Sequence, residues 1–262
     1  MANEIRDEDL AKISHFTLKP NDIYRNKLFG FSGKFGSGKD TVAKILKETI
    51  KDYCPIATVE TISMAMPLKR LVGMIDGRLN FCVTDEEKSM KPSESIFQTI
   101  SLQDLINVTI PKSVTQKYKL NEKLDMLKSN ITEIFKTSNT MGQVLQRVGT
   151  ELFRKQIGDR FWIDCWKSEA MELLNSGCFV FCTDIRFPNE KDALEDLGGT
   201  VIRIDCPLEI RKQRITTIRD PNHESETSLD HIENWEYKMS NDSDLPSLKS
   251  QVLDFFHLIA IF

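Results

Sequence analysis

Two glycines and a lysine, Gly33, Gly38 and Lys39, have the spacing G-x-x-x-x-G-K that is typical of a phosphate-binding loop. Such a loop turns successive backbone N–H groups inward around a chain of phosphates, and the lysine adds a positive charge. The apolar run at 28–31 predicts a buried strand before the loop, and apolar residues at 42, 45, 46 and 50 predict a helix after it. The helix N-terminus, which has a partial positive charge, also favours an anion here. The pattern predicts a nucleotide-binding site.

Asp40 stands where this motif usually has Ser or Thr, and Thr41 follows it. A hydroxyl at that position usually ligates magnesium, and a carboxylate can do the same because hard cations take oxygen ligands. Without a metal, the charge of Asp40 would repel the phosphates beside it. The alternative is a residue that only begins the helix, where its interaction with the helix dipole contributes about 0.3–1 kcal/mol.

A second carboxylate, Asp184, ends the nearly all-apolar run 178–183, which predicts a central strand of a parallel sheet. In phosphate-loop enzymes a carboxylate at such a strand end holds magnesium. The alternative is a turn or capping aspartate before Pro188. We favour the magnesium role, because ligands of open parallel sheets bind at the carboxyl ends of the strands, where the glycine loop also lies.

Arg186, Arg211, Arg214 and Arg219 follow this strand end. An arginine fork matches phosphate oxygens in a bidentate manner and stabilises the charge on a phosphoryl group during its transfer. Arg211 and Arg214 are three residues apart on a predicted helix and so share a face. The alternative for each of them is a solvated helix surface.

The segment 141–154 has the apolar periodicity of a helix and includes Gln146 and Arg154, and Trp162 follows it. Polar and aromatic groups of this kind can hydrogen-bond to a base and stack on it while an arginine holds a monophosphate. The same residues could equally form an ordinary helix that packs on the core. The pattern alone leaves both interpretations open.

Alternating strand and helix patterns predict a doubly wound parallel sheet with right-handed crossovers. Between residues 64 and 160 the pattern changes to long helices and polar connections, and the lysine-rich segment 111–130 is expected to be solvated. Strands are predicted at 28–31, 56–62, 178–184 and 201–204, and helices at 164–175 and 190–197.

Composition excludes several classes of protein. The 262 residues are 40% hydrophobic, enough for a substantial core, and the net charge of −4 argues against a nucleic-acid partner. No apolar run is long enough to span a membrane, and the acidic N-terminus is unlike a signal peptide. The six cysteines lack paired metal spacing, which predicts buried thiols in a reducing compartment. We therefore expect a cytoplasmic protein, in the host cytoplasm if its source is viral.

Several segments together resemble the phage-type deoxynucleoside monophosphate kinases, which are P-loop nucleotide kinases. The resemblance extends over about residues 28–255 and includes the exchange of Ser or Thr for Asp in the glycine loop. The matching segments are 37–41, 145–154, 183–190, 223–226 and 239–242.

The resemblance implies an α/β P-loop kinase fold: a doubly wound parallel sheet with a helical acceptor-binding insert and a lid. A polar N-terminal extension at 1–26 would precede the kinase domain, which would span 27–262. Within that domain the core would comprise 27–63 and 161–262, the insert 64–160 and the lid 207–228.

The implied activity is the ATP-dependent phosphorylation of deoxynucleoside 5′-monophosphates to diphosphates, with ATP and Mg²⁺ as cofactors. The catalytic side chains would be those of Lys39, Asp40, Arg186, Arg211 and Arg214. ATP would contact Gly33, Gly36, Ser37, Gly38, Lys39 and Thr41, with Asn241 and Asp242 near the adenine. The acceptor would contact Lys69, Gln146, Arg154 and Trp162. The metal would lie among Asp40, Thr41 and Asp184.

Two other functions remain open. One is a related small-molecule kinase, since the animal phosphomevalonate kinases have a similar Ser-Gly-Lys-Asp loop. The other is a non-catalytic protein that binds ATP as a switch. The resemblance implies a deoxynucleoside monophosphate as partner, neither nucleic acid nor membrane, and it is compatible with a homodimer.

Overall fold

The computed structural model of the protein describes residues 26–77, 84–97, 100–214 and 224–259. These residues form a sheet of five parallel strands in the order β2-β3-β1-β4-β5. The strands are β1 (Leu28–Ser32), β2 (Val59–Thr61), β3 (Phe179–Ile185), β4 (Thr200–Asp205) and β5 (Tyr237–Ser240).

Helices connect the strands. A 3₁₀ turn spans Leu120–Lys123 and a π-helix spans Arg147–Ile157. The α-helices are α1 (Lys39–Tyr53), α2 (Met66–Asp76), α3 (Asp85–Ser89), α4 (Leu102–Thr109), α5 (Lys112–Lys117), α6 (Leu124–Thr137), α7 (Met141–Gln146), α8 (Phe161–Asn175), α9 (Pro188–Glu195), α10 (Leu208–Arg214), α11 (Glu224–Thr227) and α12 (Leu245–Ile259).

The sheet has helices on both faces, as the alternating sequence pattern predicts. On one face Phe29 and Phe31 of β1 pack against α1 and α12, and the rings of Phe29 and Phe255 lie 5.9 Å apart. On the other face Leu28 packs with Trp166 of α8 and residues of α9. Every residue of β1 is therefore buried. The predicted doubly wound parallel sheet is confirmed.

The strand order places a crevice at the carboxyl end of β1. From β1 the chain crosses to β2 on one side, whereas from β3 it crosses to β4 on the other side. Connections that leave in opposite directions open a space at the strand ends between them, where such sheets bind ligands. The glycine loop follows β1 directly and lies at this point.

The predicted elements differ from the observed ones mainly at their ends. The strand predicted at 56–62 covers only Val59–Thr61, and Ile56 is 91% exposed. The helix predicted from 190 begins two residues earlier, because Pro188 suits the first turn of a helix. The strand β5 was missed, since its four residues have no distinctive alternation.

The helices α2 and α4 to α7 and the π-helix surround a second hydrophobic core, to which α8 also contributes. The prediction that the lysine-rich segment 111–130 is solvated is wrong in part. Val114, Leu120 and Leu127 are buried in this core, while the lysines between them lie outside. The segment is therefore amphipathic. The domain boundaries at 27–63, 64–160 and 161–262 stay predictions, and residues 1–25 lie outside the described ranges.

All cysteines within the described ranges are free thiols; Cys165, Cys178 and Cys182 are buried, as predicted, whereas Cys54 and Cys206 are only partly buried. Cys82 lies outside those ranges. In the same part of the chain, no helix combines the length and apolar composition required to cross a membrane.

Candidate active site

The phosphate loop (residues 33–39) leaves β1 and packs directly against the neighbouring strand ends. A Cβ atom on Gly33, whose φ is +151°, would lie 2.4 Å from the carbonyl oxygen of Ile204 in β4. A Cβ atom on Gly38, whose φ is +95°, would lie 2.2 Å from Nδ2 of Asn241, just after β5. Both glycines are therefore required for the close approach as well as for the backbone conformation.

Lys39 begins α1 and is 7% exposed. Its ammonium group donates to the carbonyl oxygens of Gly33 at 2.8 Å and Lys34 at 3.0 Å. Burial, and then the nearby Arg186 guanidinium, lower the pKa of Lys39 from 10.5 to about 8. The lysine side chain is thus folded back over its own loop. A phosphate bound there would pair with the ammonium charge and so offset the cost of burying it.

Asn241 fixes the loop from the side of β5. Its backbone N–H donates to the Asp205 carbonyl oxygen at 2.7 Å, and its side-chain amide donates to the Ser37 carbonyl oxygen at 2.8 Å. The hydroxyl of Ser37 is buried without a hydrogen-bond partner among the described residues. Asp242, the next residue, accepts a hydrogen bond from the Ser240 hydroxyl at 2.9 Å.

A cavity of about 550 Å³, the larger cavity, opens at the carboxyl ends of the strands. The loop, the first turn of α1, and residues after β3 and β5 line it. It brings together ten of the predicted site residues: Gly36, Gly38, Lys39, Asp40, Thr41, Lys69, Asp184, Arg186, Arg214 and Asn241. Lys69, which the sequence predicts as an acceptor contact, lines this cavity, and its role stays a prediction.

A cavity of about 320 Å³, the smaller cavity, lies between the start of α2, the π-helix and the segment after β3. The predicted acceptor contacts Gln146, Arg154 and Trp162 line it. Asp184 and Arg186 line both cavities. The two cavities therefore meet at these two residues.

Asp184 joins the end of β3 to the start of α2. Its Oδ1 atom accepts from the backbone N–H of Met64 at 2.8 Å, and its Oδ2 atom accepts from that of Ala65 at 3.4 Å. The Cys182 thiol lies 3.3 Å from Oδ1. Each carboxylate oxygen has two lone pairs, so these contacts leave Asp184 able to accept further ligands.

The residues predicted to bind metal supply the donors that magnesium requires. Asp40, Thr41 and Asp184 present two carboxylates and a hydroxyl to the larger cavity. The described residues contain no cluster of three or more His, Cys, Asp or Glu that would bind an ion alone. Mg²⁺ is commonly bound by one or two carboxylates together with substrate phosphates and water, so this sparse donor set fits it.

Glu190 in the first turn of α9 was not assigned a role from the sequence, and it is only 3% exposed. Its carboxylate accepts from the backbone N–H groups of Arg186 at 2.9 Å and Phe187 at 3.2 Å, and from the Arg154 guanidinium at 3.4 Å. Burial and the charge of Asp184 raise the pKa of Glu190 from 4.5 to about 7. The sequence signal that could have identified Glu190 is its position three residues after Phe187, the residue before the helix, because Glu is favoured at this position of a helix N-terminus.

The predicted arginines have different surroundings. Arg186 donates to the Glu226 carboxylate at 2.6 Å, and Arg214 lines the larger cavity. Arg211 donates to the carbonyl oxygens of Cys206 at 3.1 Å and Phe35 at 3.2 Å, so it contacts the phosphate loop from outside the cavity. Arg219 lies outside the described ranges.

The residues predicted as acceptor contacts that line the smaller cavity lie on the π-helix, the end of α7 and the start of α8. Trp162 is buried, and its indole N–H donates to the Gly149 carbonyl oxygen at 3.1 Å. The Arg154 guanidinium lies 5.1 Å from the centre of the Phe187 ring. The π-helix that supplies Gly149 and Arg154 is a wide helical turn of a kind often found at functional sites.

Residues 76–252 match the sequence profile of deoxynucleotide monophosphate kinases. The chain is 23% identical over 249 residues to a deoxynucleoside-5′-monophosphate kinase of Escherichia phage T5, an alignment that covers 88% of this chain and 96% of the phage protein. It is 27% identical over 124 residues to a protein of Acanthamoeba polyphaga mimivirus that is provisionally assigned as a deoxynucleotide monophosphate kinase, covering 44% of this chain and 60% of that protein. Because the profile match covers more than half of its length, the chain belongs to the deoxynucleotide monophosphate kinase family.

Proposed function

We propose that the protein transfers the γ-phosphoryl group of ATP to the phosphate of a deoxynucleoside 5′-monophosphate. An oxygen of the acceptor phosphate forms the new bond to the γ-phosphorus, and the bond from that phosphorus to the ADP oxygen breaks. The products are the deoxynucleoside diphosphate and ADP. The observation that supports this reaction is that Asp184 and Arg186 line both cavities, because a direct transfer requires the two phosphates to meet.

The larger cavity would hold ATP. Backbone N–H groups of the phosphate loop and the Lys39 ammonium group would surround its phosphates, and Gly36, Gly38 and Thr41 line the same space. Membership of a kinase family implies ATP as the phosphate donor. Asn241 would act on ATP through the loop, since its amide holds the Ser37 carbonyl oxygen.

The smaller cavity would hold the acceptor. Arg154 would bind its phosphate, while Gln146 and the apolar wall formed by Leu68 and Leu145 would contact the base. Arg186, which lines both cavities, would contact the group in transfer. The acceptor phosphate is already an anion at neutral pH, so its oxygen needs no general base before it attacks.

Asp40, Thr41 and Asp184 would hold Mg²⁺ beside the donor phosphates. When bound, the ion neutralises the charge that develops on the phosphate oxygens during transfer. Arg214 on the larger cavity would close over the phosphates as part of the lid predicted at 207–228, while Arg211 of the same segment would hold the phosphate loop from outside. Exclusion of water at closure would prevent hydrolysis of ATP.

A coupled assay of ADP release tests this proposal. It would use Mg-ATP with dAMP, dGMP, dCMP, dTMP, the ribonucleotides and phosphomevalonate as acceptors. Strong stimulation by one or more deoxynucleotides is expected. Stimulation by phosphomevalonate alone would identify a different kinase, and slow ADP release that no acceptor changes would identify an ATP-binding switch.

A homodimer, the absence of a nucleic-acid partner and a cytoplasmic location are further proposals that rest on the resemblance and the composition. Size-exclusion chromatography with light scattering tests the first, with a mass near twice 30.1 kDa as the expected result. Retention on a DNA column at moderate salt would contradict the second.

A further inference from the structure

Glu226 in α11 is placed between the phosphate loop and Arg186. Its Oε2 atom accepts from the backbone N–H of Phe35 at 2.7 Å, and its Oε1 atom accepts from Nη1 of Arg186 at 2.6 Å. The Glu226 side chain is only 6% exposed. One carboxylate thus joins the loop of the larger cavity to the arginine that lines both cavities.

The surrounding contacts hold this carboxylate in place. The Lys34 ammonium group donates to the Glu226 carbonyl oxygen at 2.5 Å and also pairs with Asp230. Arg211 of α10 holds the next peptide group of the loop, through the Phe35 carbonyl oxygen. The short helix α11 is therefore attached to the phosphate loop through its backbone at Glu226 as well as through the Glu226 side chain.

The same contacts also stabilise the negative charge of the Glu226 carboxylate. Burial acts to raise the pKa of Glu226, but the Phe35 N–H and the Arg186 guanidinium hold that pKa below its usual range. The carboxylate is therefore ionised at neutral pH, and its bond to the guanidinium is a charge-assisted one, stronger than a neutral hydrogen bond.

The orientation of Arg186 follows from these bonds. Its contacts to the described residues, with the Glu226 carboxylate and the Ser225 carbonyl oxygen, both use Nη1. A guanidinium fixed at one nitrogen keeps its other edge in a defined direction, and a phosphate can bind that edge with two parallel hydrogen bonds. A long side chain held in this way loses less entropy when the substrate binds.

We propose that Glu226 is a positioning residue of phosphoryl transfer, which fixes Arg186 where the two cavities meet and sets its distance from the phosphate loop. This inference rests on the proposed role of Arg186 in the transfer. Because Glu226 acts through Arg186, its removal changes the transfer rate and the use of the acceptor, while the binding of ATP to the loop is maintained. A carboxylate that merely competed with phosphates for the loop would have the opposite effect, since its removal would tighten ATP binding.

The test is a double-mutant cycle of Glu226→Gln and Arg186→Ala, with kcat and KM for a deoxynucleoside monophosphate and the Kd of ATP measured for each variant. Glu226→Gln is expected to lower kcat/KM for the acceptor about 10- to 100-fold, with the Kd of ATP changed less than about threefold. In the Arg186→Ala background the same substitution is expected to change kcat/KM less than about threefold, because the residue on which it acts is absent. Glu233→Gln, with the same charge change at an exposed place nearby, is the matched control.

The possible results separate the positioning role of Glu226 from the proposed role of Arg186 in the transfer. Equal losses from Glu226→Gln in both backgrounds, or tighter ATP binding, would overturn the positioning role. Full activity of Arg186→Ala would instead remove the proposed role of Arg186 itself. If Glu226→Gln unfolds, Glu226→Asp replaces it: the charge remains but the shorter side chain cannot reach both partners, so kcat/KM is expected to fall while the melting temperature stays near that of the parent.

Discussion

The side-chain amide of Asn241 occupies the space where a side chain on Gly38 would begin. Nδ2 lies 2.2 Å from that Cβ position and donates to the carbonyl oxygen of Ser37 at 2.8 Å. The end of β5 and the phosphate loop, two hundred residues apart in the chain, are therefore locked together at one glycine.

We expect Gly38→Ala to destabilise the protein and to remove ATP binding. The left-handed backbone conformation costs about 1–2 kcal/mol for a residue with a Cβ atom, and displacing Asn241 breaks a hydrogen bond that contributes about 1 kcal/mol. Urea unfolding and titration with a fluorescent ATP analogue would measure the two effects. Gly77 is the matched control, because its φ is +70° but no atom of the described residues lies within 4 Å of its Cβ position. Gly77→Ala should cost about 1 kcal/mol and leave ATP binding intact.

The pKa of Lys39, lowered to about 8, predicts that ATP affinity depends on pH. Phosphates favour the charged lysine, so affinity should fall as the pH rises above about 8, by at most about tenfold per pH unit. Binding at pH 8.5 should then take up a proton, which calorimetry in buffers of different ionisation enthalpy detects. Lys39→Arg keeps its charge at these pH values and should lose the slope. A slope that persists in this variant would show that another group is responsible.

The role of Asp40 is tested by the magnesium dependence of the rate. If the carboxylate ligates Mg²⁺, Asp40→Asn should raise the magnesium concentration required for half-maximal rate about 10- to 100-fold. Asp52→Asn, in the exposed last turn of the same helix, is the control for the charge change. An unchanged magnesium curve in Asp40→Asn, with stability lowered by about 0.3–1 kcal/mol, would establish the helix-start role instead.

The raised pKa of Glu190 predicts that its contribution to the free energy of unfolding falls as the pH rises. Its pKa is raised in the folded protein to about 7, so between about pH 4.5 and 7 the folded state binds more protons than the unfolded state. The contribution of this group to stability therefore falls as the pH rises through that interval. Glu190→Gln should become more stable relative to the parent from pH 5 to pH 7 and then level off, as measured by urea unfolding. Glu195→Gln, exposed on the same helix, should show no such trend.

Glu190→Gln should also weaken binding of the acceptor. Glu190→Gln removes the acidic partner of Arg154, so we expect KM for the monophosphate to rise, most clearly above pH 7 where Glu190 is ionised, while the Kd of ATP stays near that of the parent. An unchanged acceptor KM would show that Arg154 is held by other contacts.

Short-range patterns were sufficient to predict the phosphate loop and the doubly wound sheet. Gly33, Gly38 and Lys39 lie within seven residues of each other, and the apolar strand that ends in Asp184 can be recognised from its own few residues. Because parallel strands end at the same edge of a sheet, the meeting of these groups followed from the predicted fold.

The contacts that tune the site could not be predicted in this way. Glu226 meets Phe35 across 191 positions of sequence, and a short acidic helix has no pattern that identifies its partner. The π-helix likewise was predicted as an ordinary helix, because its apolar residues have the periodicity of an α-helix. Long-range geometry, not residue type, distinguishes these residues.

The helix α8 is shared between two hydrophobic cores. Phe161, Trp162 and Cys165 belong to the core of the inserted helices, whereas Trp166 and Ala170 pack against the sheet. Substitutions inside the first core can reshape the smaller cavity without touching the layers beneath the phosphate loop. If the smaller cavity holds the acceptor as proposed, the choice of base and the handling of phosphate depend on different cores and can be altered separately.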